Sequence, residues 1–135
     1  MLAFLAISGL LARFLSNENV ERDKEAALIQ AQANGDVNGM LARLSGCREL
    51  PSCVATVRAN ATSLRRPGAV KILSLKSSTA YSLTAATGKT RLAWTVIGRL
   101  PVVQCVEVRR TGSVLEGNTI SLLSLSAPIA NEADC

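Results

Sequence analysis

Four cysteines are the residues of this chain best placed to do chemistry: Cys47 and Cys53 within CRELPSC, Cys105, and Cys135. Four cysteines allow three pairings. The local choice is Cys47–Cys53, which would staple a short loop. It leaves Cys105–Cys135, which would pin the C-terminal tail across a strand. Free structural thiols and a metal site are the alternatives. Structural zinc centres present close cysteine or cysteine–histidine pairs, about two to four residues apart. Here the first pair is wider, the second is scattered, and the chain contains no histidine. The residues imply no metal and no other cofactor.

The missing histidine also removes the commonest general base. A serine or cysteine nucleophile would lack its usual partner. Paired carboxylates are not evident, because the β-rich half supplies only Glu107 and Glu116, and neither Asp36 nor Glu49 alone makes a site. Ala86-Thr87-Gly88-Lys89-Thr90 ends like a phosphate-binding loop. The position that needs the first glycine of that loop is Leu83, and a strand rather than a helix follows. Asn60-Ala61-Thr62 is a glycosylation sequon, but it falls inside a helical pattern. No catalytic residue is assigned.

Three helices must position these residues first. Asn17–Ala33 carries Val20, Ala27, Leu28 and Ala31 on one face, and Asn34-Gly35 supplies a left-handed stop. Asp36 caps a second helix with Val37, Met40, Leu41 and Leu44 at helical spacing. Pro51 opens a third, with Val54, Val57, Ala61 and Leu64 on one stripe. From Ala69 onward the period changes to short β-rich runs: Val70–Leu75, Ala80–Ala86, Arg91–Gly98, Val102–Arg110 and Val114–Ser126. Leu92, Trp94 and Val96 share one face, and so do Val102, Val106 and Val108. Cys105 shares the other with Glu107 and Arg109. Thr87-Gly88-Lys89 and Thr111-Gly112-Ser113 read as hairpin turns, and Leu100-Pro101 as a bend. Links this short give an antiparallel meander, so the fold class is α+β with N-terminal helices on one sheet face.

Composition bounds the rest. The 135 residues, 48% apolar and 19% charged, suit one ordered domain. The charge is uneven: residues 58–115 hold ten bases against the single acid Glu107, and residues 116–135 hold three acids and no base. A basic face of Arg65, Arg66, Lys71, Lys89, Arg91, Arg99, Arg109 and Arg110 could meet an acidic protein partner. It could equally be a solvated sheet face. Nucleic acid is disfavoured, since this half offers only Tyr81 and Trp94 for stacking.

The first residues, MLAFLAISGLLARFL, are almost wholly apolar. Residues 1–16 read as a membrane anchor whose basic upstream flank is missing. A short interfacial segment with Arg13 reaching the headgroups, or an amphipathic core helix, would also fit. Residues 17–135 then form a single domain on the extracytoplasmic side, where cysteines pair.

Ala33-Asn34-Gly35-Asp36, the Cys47 to Cys53 segment, Leu92-Ala93-Trp94 and Leu100-Pro101-Val102-Val103-Gln104-Cys105-Val106 together resemble the nuclear transport factor two-like (cystatin-like cone) superfamily. The likeness covers roughly residues 17–127 and is nearest to small membrane-anchored bacterial members. It implies helices packed into the concave face of a bent sheet. Enzymes of the superfamily place an acid or base inside the cone, and Tyr81 is the one candidate here. Enzymatic function is not transferred. The reading that follows is a non-enzymatic, membrane-tethered domain for protein interaction or assembly. A cone that binds a small apolar ligand is the alternative. An isomerase- or dehydratase-like enzyme would need a buried carboxylate or tyrosine with a shifted pKa.

Overall fold

The structure is a computed structural model that describes residues 2–77, 85–113 and 117–135. Helix α1 (Leu2–Ala33) is followed by α2 (Val37–Arg43), a 3-10 turn (Cys47–Glu49) and α3 (Pro51–Ser63). Strands β1 (Lys71–Ser77), β2 (Ala85–Thr95), β3 (Val102–Ser113) and β4 (Gly117–Leu125) then form an antiparallel sheet in the order β1-β2-β3-β4. The α+β class, the meander and the helices packed on the sheet agree with the sequence.

Local signals set the helix ends. Gly35 takes φ 72° just past α1, and the Asp36 amide donates to the Ala31 carbonyl at 2.9 Å. That closes the last turn in the way a left-handed glycine allows. The Asp36 carboxylate then accepts from the Gly39 amide at 2.9 Å, capping α2. Pro51 sits in the first turn of α3, where no amide donor is needed.

Helices and sheet meet over one apolar layer. Leu28, Ile29, Met40 and Val57 face Leu92, Trp94, Val106 and Val108, and all eight are fully buried. Of the expected stripe, Leu28 and Ala31 are buried and Ala27 is half-buried, but Val20 is 44% exposed. Glu21 and Glu25 instead share the buried side of α1 with Leu28 and Gln32.

The segment expected to be an anchor is not a separate helix. Residues 2–33 form one helix without a break at residue 16, and among the described residues no helix is long and apolar enough to cross a membrane. Arg13 and the polar residues from Asn17 onward interrupt the apolar run before it reaches the length a bilayer needs. Ala3–Ser8 are exposed, as are Asn19 and Val20.

Two turn assignments are also corrected. Thr87-Gly88-Lys89 lies inside β2, with Gly88 opposite Val108 and Lys89 opposite Glu107. The ladder from Ala85 to Trp94 is unbroken on the β3 side, and that pairing outweighs the local turn preference of a glycine. Thr111-Gly112-Ser113 likewise extends β3, pairing Ser113 with Gly117. Most of the run Ala80–Ala86, including Tyr81, and residues 114–116, including Glu116, lie outside the described residues.

Both sheet edges are guarded. Along β4 the Ser45 amide donates to the Leu122 carbonyl at 2.7 Å, and the Cys53 sulfur lies 3.9 Å from the Leu123 carbonyl. Edge strand β1 carries an irregularity between Ile72 and Ser74 and two exposed lysines, Lys71 and Lys76. Bulges and edge lysines discourage a further strand from pairing.

Candidate functional site

Disulfides join Cys47 to Cys53 and Cys105 to Cys135, with Cα separations of 5.4 and 5.7 Å. The first closes the link between α2 and α3 beside the β4 edge. The second draws the C-terminal tail over the outer face of the sheet. Arg91, opposite Cys105 in the ladder, holds the same tail: its Nε donates to the Ala133 carbonyl at 2.8 Å, and its guanidinium also reaches the Asn131 carbonyl. A backbone bridge between Val103 and Ile129 completes the attachment. No free cysteine remains.

The titratable centre is a cluster the sequence reading missed. Glu21 and Glu25 are one helical turn apart on α1 and both face the sheet, where Arg110 of β3 and Thr90 of β2 meet them. Arg110 forms an ion pair with Glu21, and Thr90 Oγ1 donates to the other oxygen of the Glu21 carboxylate at 2.8 Å. All four residues are buried. Glu25 is fully enclosed, and neither oxygen of its carboxylate meets a donor. Its pKa is pushed up to about 9, first by burial, then by the neighbouring Glu21 charge and a hydrogen bond to Glu21; Arg110 opposes the shift. At neutral pH Glu25 therefore keeps its proton.

A neutral carboxylic acid beside an ionised one is an arrangement able to give and take a proton. Acting on a substrate would require contact with it, and Glu25 has no exposed surface. Among the described residues no group of three or more potential metal ligands is found.

A second buried polar cluster lies deeper along the same interface. Gln32 and Gln104 exchange two hydrogen bonds at 2.9 and 3.0 Å. Gln104 Oε1 also accepts from the Trp94 indole at 2.8 Å, and its Nε2 donates to the Ser126 carbonyl at 2.9 Å. Asn60 Nδ2 donates to that same carbonyl at 2.9 Å. Asn60 is 1% exposed, so the sequon is closed to modification in the folded domain.

The eight residues expected to form one basic face fall at three places: the interior, the outer sheet face and the end of α1. Arg110 is corrected to the interior: it is 6% exposed, because the residues of β3 alternate and its side chain shares the inner face with Val106 and Val108. Lys71, Lys89 and Arg109 are exposed on β1, β2 and β3, and Arg91 is occupied by the tail. Arg65, Arg66 and Arg99 lie at the end of the molecule where α1 finishes. Arg66 sits over the Trp94 ring, 5.9 Å from its centroid.

Surface cavities complete the geometry. One, of about 400 Å³, is lined by Lys24, Ala27, Arg43, Ser45, Ile120 and Leu122 between α1, α2 and β4. Another, of about 380 Å³, lies between the start of α3 and the outer sheet face, beside Lys89, Cys105 and Glu107. Neither touches Glu21 or Glu25. No family model, curated protein or solved structure matches this chain.

Proposed function

We propose that this chain is a non-enzymatic domain for protein interaction or assembly, tethered to a membrane through its N-terminal segment and placed on the extracytoplasmic side. It takes the cone-like arrangement of the nuclear transport factor two-like superfamily. The observation that carries the reading is the filled interior. Trp94, Leu28, Ile29, Met40, Leu92 and Gln104 are fully buried between helices and sheet, which leaves the outer surfaces as the places to meet a partner. Two disulfides suit an oxidising compartment. Phe4, Leu5 and Ile7, exposed on α1 well ahead of the body, are the apolar groups a bilayer surface would take up.

The surface cavities, with lysine and arginine in their walls, suit an apolar ligand poorly. Glu25 is the feature that favours an acid–base enzyme, and its complete burial weighs against it.

Membrane fractionation of the full chain tests the tether. We expect the chain to sediment with membranes and resist a high-salt wash, and a variant with Phe4→Glu, Leu5→Glu and Ile7→Glu to be released at least tenfold more. Equal release of both proteins would sink the tether.

A further inference from the structure

The most exposed large apolar side chains of the described residues lie together at the β2–β3 connection. Ile97 is 99% exposed and Leu100 is 85% exposed. The connection is firmly built. The Arg99 amide donates to the Val96 carbonyl at 3.0 Å, the Thr95 hydroxyl donates to the Arg99 carbonyl at 2.9 Å, and Gly98 takes φ 83° to make the reversal. A turn held this way pre-pays the ordering that binding would otherwise demand.

Arginines surround it. The segment after α3 is tied to the end of α1, where the Arg66 amide donates to the Ala33 carbonyl at 2.9 Å and Gln30 Nε2 donates to the Gly68 carbonyl at 3.1 Å. A Cβ added to Gly68 would stand 3.0 Å from Val96, so the segment lies against the root of the turn. Arg65, Arg66 and Arg99 thus share one pole with Ile97 and Leu100. Arg65 and Arg99 are exposed and enter no ion pair among the described residues. The exposed acids Glu132 and Asp134 lie in the tail, which is fastened to Cys105 and Arg91 further along the sheet.

We propose that this pole is a docking point for a protein partner that offers an apolar socket rimmed with carboxylates. Ile97 and Leu100 enter the socket, and Arg65 and Arg99 meet the rim. This rests on the interaction reading above and names where and with what chemistry the interaction is made. A lipid surface is the weaker occupant. Among the described residues the pole carries no exposed tryptophan or tyrosine of the kind that marks membrane interfaces, and the apolar end of α1 points away from it.

A photo-crosslinking residue placed at Leu100 in the full chain, within the cells that make it, tests the proposal. Matched substitutions at Leu73 on the outer side of β1 and at Phe4 serve as controls. Support requires a discrete protein adduct from position 100 whose cross-linked segment contains Asp or Glu. Its yield must fall at least tenfold with Arg65→Glu and Arg99→Glu, and return when those partner acids are changed to Lys. The unfolding midpoint of the charge-reversed chain shows that the fold is kept. An adduct indifferent to the reversal, an adduct to lipid, or an adduct to a second copy of this chain overturns the docking point. Adducts from Leu73 alone overturn it while leaving the interaction reading standing, and no protein adduct from any position defeats both.

Discussion

Two polar clusters lie in the same helix–sheet interface and solve the cost of burial differently. Around Gln104 every donor and acceptor of its amide is matched: Gln32 twice, the Trp94 indole and the Ser126 carbonyl. Around Glu25 the matching is incomplete. Glu21 has Arg110 and Thr90, while neither oxygen of Glu25 has a hydrogen-bond partner. A neutral, satisfied network fixes register and is indifferent to pH. A charged cluster with one counter-charge for two carboxylates makes stability depend on proton activity.

Breaking the charged cluster gives the largest effect. Arg110→Met leaves Glu21 and Glu25 buried without a cation and is expected to cost about 3–5 kcal/mol in urea unfolding at pH 7. Arg110→Lys, which keeps a cation on β3 for Glu21, should recover part of the loss, and no recovery would mean that Arg110 acts through packing alone.

Gln104→Leu comes next. It strands the Trp94 indole and the Gln32 amide, while the Ser126 carbonyl keeps its bond from Asn60, for a loss of about 2–4 kcal/mol. This loss should be the same at pH 5 and pH 8, and a slope with pH would erase the contrast between the clusters.

Glu25→Gln has the opposite sign. The native pKa near 9 lies above the usual value of 4.5, so the folded state holds a proton that the unfolded state gives up. Stability therefore falls as pH rises from about 4.5 to 9, by up to about 1.4 kcal/mol per pH unit. Glutamine removes that slope. The variant should match the parent near pH 4.5 and exceed it by up to about 5 kcal/mol at pH 8. Chemical denaturation across that range measures the difference, and parallel curves would refute the buried neutral carboxyl.

The smallest effect is expected outside the core. Arg91→Ala removes hydrogen bonds to a tail that Cys135 still tethers, for about 0.5–1 kcal/mol. Faster hydrogen exchange confined to residues 127–135 would confirm that Arg91 holds the tail and not the sheet.

The contrast also shows what the sequence could tell. The disulfide pairs, the Asp36 cap, the glycine stop and the inward Leu92, Trp94, Val106 and Val108 were legible because each depends on spacing or local chemistry. The ion cluster was hidden because carboxylates suggest solvent. Yet Glu21, Glu25, Leu28 and Gln32 repeat at steps of four, three and four, which is the period of a buried helix face. Arg110 was hidden by the same habit, although it alternates in phase with Val106 and Val108. Thr87-Gly88-Lys89 misled because a glycine between polar residues suggests a turn, and only pairing with β3 decides otherwise.

Helix α1 has no break between Leu2 and Ala33, so its two ends are coupled as on a single shaft. At 1.5 Å and 100° per residue, its 32 residues span about 48 Å. One residue inserted ahead of Glu21 would swing the Ile97–Leu100 pole through more than a quarter turn relative to Phe4 and raise it by about 1.5 Å. Seven inserted residues would nearly restore the azimuth while adding about 10 Å of height. The length of this helix is therefore a setting for both reach and bearing, and only insertions close to whole turns change the first while nearly keeping the second.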